Sequence, residues 1–400
     1  MNAPWTIVCF SGVDWASHRQ RPHMLMTALA EQGADVLFVD NLGTRMPRLQ
    51  DAGRIVRRLG GWVRSSGSGR GPAAPRTASE ERSGPGRLRV DSPVVLPMQH
   101  LGPVRRLGRS TLVRRIRRRI GARRPLVVWT YLPLPVIADT AEALGADALV
   151  YDWSDDASEH VLSRSAAERR RIGAWEREMA GRADLVFMAS AELLRTRGSA
   201  NPRTHLVPHG APRRAGRTAE PPELSGLPRP RIGFVGSITE WTDLDLVDDV
   251  ARERPDWSFV MVGPVKTKAK ALQRRPNVVF TGERPHESIP AYLSAFDVAI
   301  IPYRVTPATT AASPVKLREY LAADLPVVSV DVPEVRPFVP PVRVASDAAG
   351  FIEAIDACLA ERPAPGGDPA RTRTRAETWD DRAREMAGRI TQLLQTRQPR

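Results

Sequence analysis

The sequence predicts an α/β protein of two doubly wound domains facing across a cleft. Three observations lead there. Short apolar runs alternate with helical patterns along the chain, which is how parallel sheets with helices on both faces read. The alternation comes as two series, parted by residues 211–231, a Pro/Arg-rich stretch poor in apolar side chains that reads as an interdomain linker. The length of 400 residues, 42% of them hydrophobic, is too great for one ordinary core and suits two. In open α/β sheets ligands bind outside the carboxyl ends of the strands, so the loops there are the places to look for function.

The first series opens with Thr6–Phe10, a short apolar strand. Pro22 at the first helical position starts a helix, Leu25, Ala28 and Leu29 give its apolar face, and Gly33 ends it. Asp35–Val39 is the next strand. Residues 64–89 are rich in Gly, Ser, Pro and Arg with almost nothing apolar, and read as a flexible surface insertion. Strands Leu126–Thr130, Ala148–Tyr151, Leu185–Met188 and His205–Val207 follow. The second series runs through strand Ile232–Val235, helix Leu244–Ala251, strands Ser258–Val262 and Val278–Phe280, helix Ile289–Ala295 and strand Val298–Pro302. It continues with helix Pro314–Ala323, strand Val327–Val330 and helix Ala348–Leu359. Trp379, Ala383, Met386, Ile390 and Leu393 recur at helical spacing and predict an amphipathic final helix.

The formal net charge is +14, carried mostly by arginine. It points to a polyanionic neighbour, or simply to an Arg-rich proteome. Nucleic acid is not expected: aromatic content is 6% and no recognition motif is present. Leu107, Leu112, Ile116 and Ile120 punctuate the Arg-rich segment from Val104 to Arg124. Such a stripe suits an anionic membrane surface, at about 1 kcal/mol per charge near the headgroups, or a solvated helix packed on the first domain. No apolar run approaches the roughly 20 residues of a membrane span, and no signal-peptide pattern begins the chain. Cys9 and Cys358, far apart, read as buried thiols in a reducing compartment. A cytoplasmic location, peripheral at the inner face of the membrane, follows. No CxxC or HxxxH pair suggests a metal, and no cofactor is expected.

The most informative stretch is Ala312-Ser313-Pro314-Val315-Lys316-Leu317-Arg318-Glu319-Tyr320-Leu321-Ala322. Ser313 reads as an N-cap and Pro314 as the first helical residue. A helix start of this kind offers free N–H groups and a positive dipole end to an anion. Lys316, in the first turn, adds a full charge for a phosphate. Glu319, three residues on, can accept hydrogen bonds from two vicinal hydroxyls such as a ribose presents. The alternative is a Lys–Glu surface pair on a capped helix.

With this segment stand Gly233-Phe234-Val235-Gly236-Ser237-Ile238, Met261-Val262-Gly263-Pro264, Asn277-Val278-Val279-Phe280-Thr281-Gly282, Tyr292-Leu293-Ser294-Ala295-Phe296-Asp297-Val298 and Ile301-Pro302-Tyr303. In this order they resemble the C-terminal domain of family 4 glycosyltransferases, particularly bacterial surface-polysaccharide and teichuronic-acid-type members. The resemblance implies a GT-B fold: two Rossmann-like domains with the nucleotide-sugar in the second and the acceptor in the first. It implies transfer of a hexosyl group from a UDP- or GDP-sugar to a saccharide or lipid-linked acceptor, with retention and without a metal. Gly236 would let backbone approach the donor diphosphate, unless it is an ordinary strand-to-helix turn glycine. Lys316 and the Ser313 helix end would meet the diphosphate, and Glu319 the ribose. Two positions depart from the pattern. Ala311 stands where many relatives have a first glutamate. Gly236 is followed by Ser237-Ile238-Thr239-Glu240-Trp241-Thr242-Asp243 rather than by an Arg and a Lys, which leaves Lys316, the helix end and Arg304 to meet the phosphates.

In the first half, the loop from Gly12 to Pro22 carries Asp14, Trp15, His18, Arg19 and Arg21. It is similar to the Trp…Arg-Pro-His opening of such polysaccharide transferases, where it meets the acceptor or a donor phosphate. A merely solvated loop is the alternative for His18 and Arg21. Tyr131 stands where several relatives have a histidine. Tyr151-Asp152-Trp153-Ser154-Asp155-Asp156 resembles a Tyr-Asp-x-x-Asp-Asp stretch of the teichuronic-acid type. Asp152 and Asp155 are candidates, with His18, for positioning an acceptor hydroxyl or taking its proton, although Asp155 or Asp156 can equally cap a following helix. His209-Gly210 replaces the usual Asn-Gly and marks passage toward the cleft. The expected division is 1–210 for the acceptor, 211–231 as linker and 232–375 for the nucleotide-sugar, with 376–400 a helix packing back on the first domain. A nucleotide-sugar epimerase of the same fold, or a catalytically silent basic scaffold at a membrane, are the competing functions.

Overall fold

The structure is a computed structural model that describes residues 5–42, 85–93, 95, 99–120, 125–155, 165–213, 218–339, 342–361 and 377–396. Residues 64–84 of the expected insertion, Gly121–Arg124 and Asp156 lie outside these. The chain divides into two compact units: Met1–Ala189 with Leu193–Pro208 and Asp380–Arg400, and Ser190–Glu192 with His209–Trp379.

The first unit is built on a seven-stranded sheet of order β3-β2-β1-β4-β5-β6-β7, every pair parallel. Its strands are β1 (Thr6–Phe10), β2 (Asp35–Val39), β3 (Arg87–Asp91), β4 (Leu126–Thr130), β5 (Ala148–Trp153), β6 (Leu185–Met188) and β7 (Thr204–Leu206). Strands β1, β4, β5 and β6 are buried along their whole length, as parallel strands covered on both faces must be. The helices are α1 (Arg21–Glu31), α2 (Gly102–Ile120), α3 (Pro135–Leu144), α4 (Ala166–Arg182) and α5 (Ala191–Arg197), the last shared between the units. Gly145, in the left-handed conformation, ends α3, and Ser165 caps α4 by accepting from the Glu168 N–H.

Two expectations are corrected here. The tail of the supposed insertion, Arg87–Arg89, is part of edge strand β3, in which buried Leu88 and Val90 alternate with Arg87 and Arg89. Composition hid this, because the arginines of an edge strand look like loop. The apolar stripe of α2 does not await a lipid. Leu112, Ile116 and Ile120 are buried, and only Leu107, 61% exposed, points outward. Charge pins the helix too: Arg115 grips Asp91 through two 2.7 Å bonds, and Arg105 meets Asp139 at 2.8 Å.

The second unit holds a six-stranded parallel sheet, β10-β9-β8-β11-β12-β13. Its elements in order are β8 (Arg231–Val235), α6 (Leu244–Glu253), β9 (Ser258–Val262), β10 (Val278–Gly282), α7 (Ile289–Ala295), β11 (Val298–Ile301), α8 (Pro307–Ala311), α9 (Val315–Ala322), β12 (Val327–Ser329), β13 (Val342–Val344) and α10 (Ala348–Ala360). The core packs Trp257, Phe259, Phe296, Tyr320 and Phe351 about β8 and β11. The Val235 N–H donates to the Tyr320 hydroxyl at 2.8 Å, which ties α9 to the end of β8. Part of the supposed linker is docked on this unit. Leu224 is buried in the core, Arg229 pairs with Asp297 at 2.6 Å, and the Arg231 N–H donates to the same carboxylate at 2.7 Å. Helix α11 (Trp379–Thr396) turns Ala383, Met386, Ile390 and Leu393 inward. From Asp380 on it belongs to the first unit, where the Gln32 side chain donates to the Asp380 carbonyl. Among the described residues no helix is long and apolar enough to cross a membrane.

Gly233 lies mid-strand in β8 under the Phe296 ring, and a Cβ built there would sit 2.0 Å from a ring carbon. Gly233→Ala is expected to cost about 1–3 kcal/mol in urea unfolding. Phe296→Leu in the same background should return part of that loss; an unchanged midpoint in the single variant would refute the close packing.

Candidate functional site

In the second unit the site grows from the ends of β8 and β9. Gly236 and Gly263 follow these strands, both at φ +140°, a conformation that side chains rarely adopt. The two turns lie against each other. The Gly236 N–H donates to Val262 O, and a Cβ on Gly263 would stand 2.1 Å from Gly236 O. Beyond the glycines the chains stay zipped, Ile238 N–H to Pro264 O at 3.0 Å and Lys266 N–H to Ile238 O at 2.8 Å.

Lys316 comes to this turn from α9. Its Nζ donates to the Tyr303 hydroxyl at 2.6 Å, lies 4.6 Å from the Phe234 ring centre, and would be 2.9 Å from a Cβ on Gly236. The structure therefore brings Gly236 and Lys316 together, 80 residues apart in sequence. Glu319 is half-buried one turn along α9, and among the described residues its carboxylate makes no direct hydrogen bond or ion pair. Burial raises its pKa, opposed by the charges of His286 and Lys316. His286, in the turn after β10, is a neighbour that no motif announced.

Two assignments on this side change. Ser313 is not the N-cap. Pro314 takes that position with ψ 107°, the helix starts at Val315, and the buried Ser313 hydroxyl faces Arg318 Nη1 at 3.5 Å. Proline brings no capping side chain, so no side chain caps the first-turn amides, of which the Leu317 N–H reaches Pro314 O at 3.1 Å. Arg304 is not spare for a phosphate, being held by Asp245 at 2.7 Å and Asp243 at 3.3 Å.

In the first unit Arg21 is not a loop residue. It is the first residue of α1, buried, with its Nε 3.0 Å from both oxygens of Asp152, itself inside β5. Burial raises the Asp152 pKa, and Arg21 pulls against that rise. Tyr131 and Trp129 lie beside the same carboxylate, although neither reaches it with hydrogen-bond geometry; Arg21 Nη1 and Nη2 and the Tyr131 hydroxyl are buried without hydrogen-bond partners among the described residues. Asp155 and His18 are exposed. Asp155 accepts from the Ser154 hydroxyl at 3.0 Å, and His18 Nε2 lies 2.6 Å from the Gln20 side-chain amide. Asp155 caps no described helix, since α4 begins at Ala166 behind Ser165. Gly12 has an ordinary φ, and a Cβ there would meet only Leu132, at 3.6 Å. The local fold does not demand a glycine at that position.

His23, the histidine of the Arg-Pro-His run, was given no role in the sequence. It is fully buried, its Nδ1 accepts from the Gln20 N–H at 3.1 Å, and its Nε2 faces the Asp14 carbonyl at 3.2 Å. Its ring packs against Trp15 and Phe38, with centroids at 5.2 and 5.4 Å, and those two rings also meet each other at 4.9 Å. His23 therefore fixes the Gly12–Gln20 loop near both ends. Besides that motif, its place three residues after Gln20, the spacing of a reciprocal helix cap, was the local signal of this role.

Two Rossmann-like units of these strand orders define a protein of the GT-B fold. The solved chains it is similar to have the same fold over nearly their whole length. Anabaena Alr3699/HepE, solved with UDP and glucose, is 14% identical, with a TM-score of 0.58 over 98% of this chain and 97% of that one. A glycosyltransferase from Rickettsia africae ESF-5 is 11% identical, with a TM-score of 0.60 over 98% and 99%. Residues 229–361 match the model of the family described as Glycosyl transferases group 1. Among curated proteins, one named for teichuronic acid biosynthesis, the glycosyltransferase TuaH of Bacillus subtilis (strain 168), is 31% identical over 203 residues, 47% of this chain. The match spans about half of that relative, 51% of its length.

Burial lowers the His23 pKa to about 4, while the Asp14 carbonyl opposes the drop. The folded state thus prefers the neutral ring. Its contribution is complete above about pH 6.5 and is lost as the pH falls from there toward 4. Stability is expected to drop by about 2 kcal/mol between pH 7 and pH 5 on this account. Urea titrations at both values should show that fraction of the pH dependence missing from His23→Gln; identical slopes would contradict it.

Proposed function

We propose that the chain is a glycosyltransferase that moves a hexosyl group from a UDP- or GDP-sugar to a saccharide or lipid-linked acceptor in surface polysaccharide synthesis. One observation carries the reading: Lys316 meets Gly236 at the carboxyl end of β8, with Glu319 one turn further along α9, inside the stretch that matches the group 1 model. The Gly236 turn admits a diphosphate to backbone contact. Lys316 and the first amides of α9 oppose the charge that grows on the leaving nucleotide, so the reaction needs no metal ion or other cofactor. Glu319, unengaged and half-buried, accepts the two ribose hydroxyls. HepE, solved with UDP and glucose, supports a nucleotide-sugar as donor. Retention of configuration is proposed on the family resemblance.

The first unit takes the acceptor in this reading. Gly12, which the fold leaves free to carry a side chain, is reserved for ligand approach. The buried Arg21 offers its two free Nη groups there, and Asp152 holds that guanidinium rather than taking a proton. Exposed His18 and Asp155 are the groups left to handle an acceptor hydroxyl. Five exposed arginines of α2, Arg106, Arg109, Arg114, Arg117 and Arg118, give this unit a surface for anionic lipid at the inner face of the membrane. Because the apolar stripe is turned inward, the attraction there is almost wholly electrostatic.

Glu319→Ala is expected to weaken UDP or GDP binding by about 2–4 kcal/mol in calorimetry, with the melting temperature of the free protein nearly unchanged. Unaltered affinity would remove the ribose assignment, and a wild-type protein that binds neither nucleotide would favour a silent scaffold. For the membrane, flotation should show binding to vesicles containing anionic lipid and not to neutral ones, falling steeply as salt rises. Replacing Arg114, Arg117 and Arg118 by Gln should release the protein; equal binding to both lipids would return α2 to a solvated face.

A further inference from the structure

We infer that Lys266, on the loop after β9, is a second cationic ligand of the donor diphosphate, in place of the Arg and Lys that the loop after Gly236 lacks. The inference rests on the reading of the second unit as a nucleotide-sugar site. The loop after Gly236 has Glu240 and Asp243 and no cation. Arg304 is taken by Asp243 and Asp245. Lys316 therefore stands alone on its side of the turn, while a sugar nucleotide carries charge on both phosphates and gains more when the glycosidic bond breaks.

The geometry shows where the second charge comes from. Gly236 and Gly263 bring the two turns into backbone contact, and the parallel bridge between Ile238 and Val265 carries that contact past the strand ends. Lys266 is the next residue. Its N–H is fixed to Ile238 O at 2.8 Å, and its Nζ lies 3.3 Å from the Ser237 hydroxyl. The Gly236–Ser237 turn is thus bracketed by two ammonium groups, Lys316 at Gly236 and Lys266 at Ser237. Neither forms an ion pair among the described residues. In the same unit Arg229, Arg231, Arg252, Arg254, Arg275 and Arg343 are all paired with carboxylates. Two unpaired cations flanking one glycine turn at a sheet's carboxyl edge fit a diphosphate, whose two phosphoryl groups can each take one.

The test compares UDP and GDP with uridine and guanosine by calorimetry, in wild type, Lys266→Gln and Lys268→Gln. Lys266 and Lys268 are both exposed on one loop, so neither substitution threatens the fold. For the nucleoside diphosphate that binds, Lys266→Gln should weaken affinity about tenfold. Affinity for the matching nucleoside should stay within about twofold, and Lys268→Gln should change neither. Equal losses in both variants would mean a diffuse field rather than a ligand and would overturn the proposal, as would an unchanged Lys266→Gln. A wild type that binds no nucleoside diphosphate would instead overturn the donor-site reading beneath it.

Discussion

The second unit is organised by the contact between two turns that no side chain separates. Gly236 and Gly263 both sit at φ +140°, and the oxygen of one occupies the space a Cβ of the other would need. Because the strands end this close together, the loops beyond them register on each other through Ile238, Val265 and Lys266. The same bareness lets Lys316 reach in from α9 and lie over Phe234. Tyr320 on that helix anchors the β8 backbone at Val235, so the helix start and the glycine turn are held as one piece. Preorganisation of this kind is what electrostatic stabilisation of a leaving group requires, since charges that must first move contribute less.

The first unit solves a different problem at the same end of its sheet. Burying a guanidinium and a carboxylate costs several kcal/mol per ion, and only good geometry with further hydrogen bonds offsets it. Arg21 and Asp152 meet the first condition and leave the second incomplete, since two guanidinium nitrogens and the Tyr131 hydroxyl lack partners among the described residues. The pair joins the start of α1 to β5, while His23 and the Trp15 N–H, which donates to Asp40 at 2.8 Å, secure the intervening loop. The loop is therefore shaped from both ends before any ligand arrives.

Much of the fold was legible because parallel strands buried on both faces read as continuous apolar runs. Thr6–Phe10, Asp35–Val39, Leu126–Thr130, Leu185–Met188 and Ser258–Val262 have the same limits in sequence and structure. Edge strands broke the rule. Arg87-Leu88-Arg89 and Val342-Arg343-Val344 carry charge at alternate positions, and helix α4 is too rich in Arg and Glu for its few buried residues to stand out. At the candidate site, Lys316 and Glu319 could be read from a local helix pattern. The start of that helix was misplaced by one residue, because Pro314 fits both the first helical position and the cap. The engagement of Arg304 with Asp245, 59 residues away, and the approach of Lys266 to Ser237 depend on tertiary contact and leave no local trace.

The arginines of β3 have a further effect on how the molecule lives among its neighbours. Two open sheets present four borders, and an uncovered border is a template on which a stranger's backbone can add. At β3 that border carries the exposed Arg87, and Arg89 is tied back to the Arg119 carbonyl at the end of α2. The borders at β7 and β13 are only three residues long. Charge and short length work against an incoming segment at these three borders, whereas the fourth, β10, runs five residues without a charge. The charge on β3 therefore bears on which other backbones can approach that border as well as on the sheet it closes.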